Sequence, residues 1–319
     1  MRMSKYNTSH NGGELGWLAC VVPFYEGVWG MQKYKMKAVL SAAAVVVSLF
    51  SGGASPALAT NINVSAAANF CAPPNPNDPT PLGDLITAFQ NTTGYTVTLV
   101  QCGATGTLAN QITSGNSLNV DLFLAANSAT PASLASGYGV GSPFVYAVGT
   151  LAFWSNTPGV NVSSGYNSST YSKVAVANTT TAPYGTAASQ LLTGRYGLTA
   201  PLSSNSLVNI YSNIDTTFQA VKNQTETVGF VALSQICKNG AYPPSGSSAL
   251  AYPPTDTSVS PVIYNYDPIN QSGLRIARSA RTSAEDTALN AFVAYLTDHT
   301  LSPQSQMITT LLNYCYGVP

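Results

Sequence analysis

The sequence predicts an α/β protein of two lobes, each a mainly parallel sheet flanked by helices. β-rich apolar segments alternate with segments of helical periodicity after residue 60, which is typical of βαβ units. Several strand-like segments turn directly into helices through short runs of Gly, Ala, Ser, Thr or Asn. A long apolar run at 144–154 is suited to crossing between lobes, and the chain is expected to cross back near Asp267.

The order of elements divides the chain into three parts. We expect an N-terminal extension and signal peptide at 1–59, a first lobe at 60–143 and 267–319, and a second lobe at 144–266. The signal consists of Lys33, Lys35 and Lys37, an apolar run at 38–50 and the small-residue pattern Ala57-Leu58-Ala59. The protein is therefore expected to be exported, with its start at Met31 or Met36 and its mature end near Thr60. The alternative is a genuine cytoplasmic extension.

Local patterns place the individual elements. Strands are predicted at 62–67, 95–100, 119–125, 173–177, 207–211 and 228–233. Helices are predicted around 82–93, 108–113, 187–192, 214–221, 284–297 and 305–312. The Pro/Asn-rich stretch at 71–81 is predicted to be a loop insertion, and 238–261 a long loop.

Low charge restricts the possible functions. From Thr60 onward the chain has seven Lys or Arg and ten Asp or Glu, so its net charge is 7 − 10 = −3. Nucleic-acid binding requires a basic surface that this composition does not supply, so we do not expect the protein to bind nucleic acid. The only histidine in this part is His299, and no Gly-x-Ser-x-Gly segment surrounds a candidate nucleophile. An exported hydrolase is therefore a weak alternative.

Four cysteines remain after the signal: Cys71, Cys102, Cys237 and Cys315. An even number in an exported chain indicates disulfides, and three pairings are possible. We favour Cys71–Cys102 and Cys237–Cys315, because the first two cysteines follow strands whose ends should be neighbours. A metal site is the rival interpretation, but these cysteines lack the close spacing of metal ligands.

Four strand-to-helix turns, at Asn69, Thr105, Tyr184 and Ile214, carry the chemistry. The first backbone N–H groups of a helix have no partners within it, and the helix dipole adds positive charge there. Such turns bind anions. The stretches around Asn69 and Thr105 contain no Lys or Arg, so neutral donors would hold the anion. The alternative for Asn69 and Thr105 is a plain helix cap, for Tyr184 an aromatic residue on the lobe surface, and for Ile214 a core residue.

At this point the sequence resembles the periplasmic molybdate-binding proteins of ABC transporters. The resemblance covers nearly all of 62–319 and depends on the order and spacing of the matching segments. The matching segments are Ala66-Ala67-Ala68-Asn69-Phe70, Gly103-Ala104-Thr105-Gly106-Thr107, Val120-Asp121-Leu122-Phe123, Ala182-Pro183-Tyr184-Gly185, Asn213-Ile214, Val228-Gly229-Phe230-Val231-Ala232 and Tyr316-Gly317.

The resemblance implies a two-lobed type II periplasmic binding protein fold with the ligand in the inter-lobe cleft. It also implies a receptor that binds molybdate or tungstate as an oxyanion, delivers it to the membrane permease of an ABC transporter, and needs no cofactor or metal. A monomer is expected. By position, Asn69 and Thr105 would donate from backbone and side chain, and Tyr184 and Ile214 from the backbone. Asn69 stands where the family usually has Ser, and Ala232 where some members have Tyr.

Three alternatives stay open. A receptor for another oxyanion, such as sulfate or phosphate, would use the same turns, although protonated phosphate would require an acceptor such as Asp215. An exported hydrolase would require a nucleophile and a base. A structural surface protein fits the Ser/Thr/Asn/Tyr-rich composition, but does not explain four strand–turn–helix units.

Overall fold

A computed structural model describes residues 60–319, so the predicted extension and signal peptide lie outside the described residues. The strands are β1 Asn61–Ala67, β2 Thr96–Gly103, β3 Leu122–Ala125, β4 Phe144–Gly149, β5 Leu151–Ser155, β6 Val174–Ala177, β7 Val208–Tyr211, β8 Gly229–Ala232, β9 Ser248–Tyr252, β10 Thr255–Asp256, β11 Ile263–Tyr264 and β12 Ile269–Arg275. The α-helices are α1 Ala68–Cys71, α2 Pro81–Thr93, α3 Thr105–Thr113, α4 Ala129–Tyr138, α5 Pro183–Gly194, α6 Ile214–Lys222, α7 Ser283–Leu296 and α8 Gln306–Asn313.

Two five-stranded sheets form the two lobes, and both are mainly parallel, as predicted. The first has the order β2-β1-β3-β12-β4, with β12 antiparallel to both neighbours. The second has the order β7-β6-β8-β5-β9, with β5 antiparallel to both neighbours. Each of the four strands that precede α1, α3, α5 and α6 runs parallel to a neighbouring strand. Their carboxyl ends therefore place the helix starts at the sheet edges where ligands bind in such folds.

The chain crosses between the sheets twice. The apolar run at 144–154 divides at Thr150 into β4, which belongs to the first sheet, and β5, which belongs to the second. The crossing therefore lies about one strand later than the predicted boundary at 144, because a run of this length spans both sheets. The return falls between β11 and β12, close to Asp267.

Helices cover both faces of each sheet. In β3, Leu122 and Leu124 face a core shared with α2, α7 and α8, whereas Phe123 and Ala125 face a core shared with α3 and α4. In the second sheet, α5 packs on one face and α6 on the other. The alternation along one strand follows from its two-residue period, and burial on both faces explains the continuous apolar strand sequences.

The disulfides Cys71–Cys102 and Cys237–Cys315 both form, with Cα–Cα distances of 5.9 Å, which confirms the favoured pairing. The first joins α1 to β2, directly behind the predicted anion turns. The second joins the segment after β8 to the C-terminal residues and so ties the second sheet to the C-terminus. No helix in the 60–319 region is long and apolar enough to cross a membrane.

Candidate anion-binding site

The starts of α1, α3, α5 and α6 meet around one small cavity between the sheets. All four residues singled out in the sequence line it, and its complete lining is Ala67, Ala68, Asn69, Gly103, Ala104, Thr105, Ala126, Ala182, Pro183, Tyr184 and Ile214. Its volume is about 10 Å³, roughly the room that one water molecule needs. An ion of several atoms needs more room, so the lining must move outward to admit it.

Asn69 is the second residue of α1, so its backbone N–H has no acceptor within the helix. Its side chain does not cap the helix, so the plain-cap alternative does not hold for Asn69. The side-chain Nδ2 instead donates to Gln271 Oε1 at 3.0 Å and to the Tyr316 hydroxyl at 2.9 Å. Both acceptors belong to the first lobe, and all three side chains are buried.

Thr105 is the first residue of α3, so the helix starts three residues earlier than the predicted start at 108. The preceding residue, Ala104, holds the cap position, so Thr105 is not a helix cap. Its hydroxyl oxygen accepts from the backbone N–H of Ala126, which leaves its proton free to donate. Its backbone N–H is also unpaired within the helix.

The second lobe contributes the first turns of α5 and α6. Tyr184 follows Pro183 in α5, so its backbone N–H is the first one that the helix offers. Ile214 begins α6 directly after Asn213, whose side chain closes a capping box with Thr216. That cap holds the start of α6 in place and leaves the Ile214 N–H without a partner in the helix.

The cavity is electrically neutral. Among the described residues that line it there is no Asp, Glu, Lys, Arg or His. Burial, followed by neighbouring phenols, raises the pKa of Tyr184 well above its ordinary value, so its hydroxyl stays protonated. Asp215, the one carboxylate considered from the sequence, does not line the cavity, and burial raises its pKa. The favourable potential for an anion therefore comes from oriented N–H and O–H groups alone.

The lobes touch each other around the cavity. The backbone N–H of Gly106 in α3 donates to the Thr181 carbonyl of the second lobe at 2.9 Å. A Cβ on Gly106 would lie 3.1 Å from Thr181 Cα, so glycine permits this approach. The Tyr184 hydroxyl of the second lobe accepts from Gln271 Nε2 at 3.1 Å. These contacts make this a closed conformation.

A second, larger cavity of about 300 Å³ lies beneath the 72–80 loop. Trp154 and Phe218, which stack with their centroids 5.2 Å apart, form part of its wall. Lys222 Nζ, in α6, donates to the Pro74 carbonyl at 2.5 Å and also to Asn75 Oδ1. The predicted insertion therefore bridges the two lobes. Among the described residues, Asn69 is the only one that lines both this larger cavity and the smaller one.

The sequence did not predict a role beside the site for Gln271 or Tyr316. Tyr316 was noted only as part of the resemblance, and Gln271 not at all. Both side chains are buried and polar. No local pattern marks them, since they come from β12 and the C-terminal segment, about 200 residues or more along the chain from Asn69.

Two lobes that close on a cavity lined by neutral hydrogen-bond donors have the arrangement of a solute-binding protein. The profile of the family described as "Bacterial extracellular solute-binding protein" matches residues 50–306. The chain belongs to this family. No group of three or more potential metal-binding side chains occurs within the described part of the chain.

Individual relatives narrow the comparison. The chain is 34% identical over 257 residues to the molybdate-binding protein ModA of Azotobacter vinelandii, covering 79% of this chain and 90% of that protein. It is 32% identical over 261 residues to ModA of Rhodobacter capsulatus, covering 81% and 90%. The solved periplasmic molybdate-binding protein of Azotobacter vinelandii superposes with a TM-score of 0.63 at 26% identity, covering 81% of this chain and 99% of that one. The resemblance found in the sequence is thereby confirmed.

Proposed function

We propose that this protein captures molybdate or tungstate outside the cytoplasmic membrane and delivers it to an ABC transporter. One observation carries the proposal: four helix starts from two lobes converge on a small, neutral cavity. The molybdate-binding names of the two ModA relatives support the choice of ligand. We propose Asn69, Thr105, Tyr184 and Ile214 as ligand-binding residues, with backbone N–H groups from each and the hydroxyl of Thr105.

Binding would proceed by lobe closure around the anion. Closure expels water, so each N–H···O⁻ hydrogen bond acts in a medium of low dielectric constant and strengthens. Neutral donors would hold the anion, so no cationic side chain has to be buried beside it. The protein itself would then act as a carrier without catalytic chemistry, and we propose that it works as a monomer without nucleic acid.

Sheet membership supports a proposal for the lobe bounds. We propose that residues 60–149 and 267–319 form the first lobe and residues 151–266 the second, with Thr150 between them. Each lobe then brings two of the four helix starts to the cleft. The two crossing segments would form the hinge.

Calorimetry on the mature protein with molybdate, tungstate, sulfate and phosphate tests the ligand. We expect one site per chain, with molybdate and tungstate bound more tightly than the smaller sulfate. The described cavity has no carboxylate to accept a proton from hydrogen phosphate, so phosphate should bind weakly. Equal or tighter sulfate binding would contradict the assignment, and binding of none of the four would contradict an oxyanion receptor.

A further inference from the structure

Asn69 has a buried polar atom without a partner. Its side-chain Oδ1 accepts no hydrogen bond within the described chain, although its Nδ2 donates to two acceptors. Buried side-chain acceptors are nearly always paired, since an unpaired one loses its hydrogen bonds to water and gains none within the protein. Asn69 also lines the candidate anion cavity. The unpaired atom therefore requires a physical explanation.

A row of three side chains runs from Asn69 through Gln271 to Tyr184, and we refer to it as the relay. Gln271 Oε1 accepts from Asn69, and Gln271 Nε2 donates to the Tyr184 hydroxyl at 3.1 Å. Tyr184 thus acts as an acceptor, and its own proton has no acceptor within residues 60–319. The relay leaves one group unpaired at each end: an acceptor on Asn69 and a donor on Tyr184.

A 180° rotation of the side-chain amides of both Asn69 and Gln271 would pair the groups at both ends of the relay. The oxygen and nitrogen of an amide have nearly the same shape, so the turned side chains fill the same space. Gln271 Oε1 would then accept from Tyr184, and Gln271 Nε2 would donate to Asn69 Oδ1. Asn69 Nδ2 would take the position that Oδ1 now holds. One N–H remains unpaired, and it requires an acceptor.

The surrounding hydroxyls tolerate either direction. The Tyr146 hydroxyl lies 3.1 Å from both the Ala125 carbonyl and Gln271 Oε1. With its single proton on the Ala125 carbonyl, it can accept from Gln271 Nε2 after the reversal. Tyr316 donates to the Asn69 carbonyl at 2.9 Å. After the reversal it faces Oδ1, so its single proton turns to Oδ1, and Ser234 Oγ, 3.4 Å from the Asn69 carbonyl, remains as the donor to that carbonyl. Burial raises the pKa of Tyr316 to about 12, so this hydroxyl keeps its proton at neutral pH.

We propose that an oxyanion in the cavity reverses the relay, so that Tyr184 donates to Gln271, Gln271 donates to Asn69, and Asn69 Nδ2 donates to the anion. The proposal rests on the oxyanion-binding function proposed above and adds Gln271 and the Tyr184 phenol as positioning residues. In this direction every hydrogen bond points toward the negative charge, and successive bonds polarise one another. Because Tyr184 belongs to the second lobe and Asn69 to the first, the anion strengthens a bond between the lobes.

The opposite direction has a distinct chemical meaning. With Oδ1 unpaired, Asn69 offers an acceptor, which suits an oxyanion that carries a proton, such as hydrogen phosphate. Molybdate, tungstate and sulfate carry no proton at neutral pH and require a donor. The direction of the relay therefore selects between protonated and fully deprotonated oxyanions.

Side-chain amide resonances report the direction. In ¹⁵N–¹H spectra of the mature protein, saturation with tungstate should shift the Asn69 Nδ2 and Gln271 Nε2 cross-peaks together, with the Asn69 protons moving downfield. Assignment uses the peaks lost in Asn69→Asp and Gln271→Glu. Asn69 and Gln271 amides that stay unmoved at saturation would overturn the relay, since a purely structural pair has no reason to respond.

Affinities supply the second test. Tyr184→Phe removes the first donor, and tungstate affinity should fall by about 3- to 10-fold. Gln271→Glu cannot donate to Asn69 and adds negative charge, so affinity should fall on the order of a hundredfold. Tyr252→Phe is the matched control: it removes a buried phenol bonded to Tyr196 at 2.7 Å, away from the relay, and should bind normally.

The outcomes separate the two proposals. A wild-type protein that binds none of the oxyanions overturns the proposed function and the relay with it. A wild-type protein that binds tungstate, with Tyr184→Phe equally tight, overturns the relay alone. Phosphate bound more tightly than tungstate, with the amides unmoved, would show that Asn69 serves as an acceptor and would also overturn the reversal.

Discussion

The hydroxyl oxygen of Thr105 accepts a hydrogen bond from the backbone N–H of Ala126 at 3.0 Å. This bond joins the start of α3 to the residue that follows β3, and both residues line the candidate anion cavity. With its oxygen held by Ala126, the hydroxyl can donate its proton but has little freedom to reorient. Thr105 is thus a donor that is oriented before any ligand arrives.

Replacing Thr105 with Val keeps the shape and removes this hydroxyl. A hydrogen bond to a charged group is worth roughly 1.5–3 kcal/mol, so oxyanion affinity should fall about ten- to a hundredfold in calorimetry. The variant also leaves the Ala126 N–H unpaired and should lose about 1–3 kcal/mol of unfolding free energy. Thr105→Ser retains the hydroxyl and should keep most of the affinity. A Val variant that binds like wild type would remove the hydroxyl from the site.

Gly106→Ala should weaken binding without weakening the fold. The added Cβ would lie 3.1–3.3 Å from Thr181 atoms of the second lobe, so only the closed conformation is crowded. Overpacking costs about 1–3 kcal/mol, which predicts an affinity loss of roughly 5- to 100-fold. Ala is also the better helix former, so thermal stability without ligand should not fall.

Gly137→Ala is the control, since nothing lies within 4 Å of its added Cβ. It should bind like wild type. Small-angle scattering should show Gly106→Ala remaining more open when ligand is present. Unchanged affinity in Gly106→Ala would mean that closure around the ligand does not bring α3 against Thr181.

Removing the disulfides separately should affect stability and binding differently. The Cys71–Cys102 bond closes a separation of 31 residues and Cys237–Cys315 one of 78. Chain-entropy arguments give about 3–5 kcal/mol of stability for each, more for the longer loop. Denaturant unfolding of the two double Cys→Ser variants measures this. Only the Cys71/Cys102 variant should also lose oxyanion affinity, since Cys71 ends the short helix that carries Asn69.

Buried phenols predict a loss of stability at alkaline pH. Burial raises the pKa of Tyr316 and of Tyr266 from 10.0 to about 12. The unfolded chain then releases these protons at lower pH than the native protein, so the unfolding free energy falls as pH rises from 10 to 12. Each phenol should account for roughly 2–3 kcal/mol across this window. Urea unfolding between pH 8 and pH 12 checks this, and a flat profile would contradict it.

Below that window, tungstate affinity should be constant between pH 7 and 9. None of the described cavity residues titrates there, because the Tyr184 pKa is raised well above its ordinary value by burial. Calorimetry at three pH values tests it. A step in affinity near neutral pH would reveal a titrating group in the site.

Several structural features follow from local sequence pattern and were predictable. Apolar β-rich runs that end in small residues identify β1, β2 and β6 together with the helices that follow them. Asn69, Thr105, Tyr184 and Ile214 were found because each stands at such a turn, and parallel strands bring their turns to one edge. The cysteine pairing was predictable in part, because neighbouring strand ends brought Cys71 close to Cys102.

Other elements have no local signal. The segment 238–261, predicted to be a loop, contains β9, which pairs with β5 at the edge of the second sheet. β9 is recognisable as a strand mainly through that partner, since Pro, Ser and Gly surround it. The helix α4 was not predicted either, because its small residues show no apolar stripe.

The sequence by itself determined that this chain is a two-lobed α/β protein with four neutral turns, because strand and helix periodicity and turn chemistry act over a few residues. Only the tertiary structure decided what the side chains at those turns do. Asn69 donates its amide Nδ2 to Gln271 and Tyr316, and Thr105 bonds to Ala126 instead of capping its helix. Hydrogen bonds between residues 21 to 247 positions apart depend on packing of the whole chain, which local pattern does not encode.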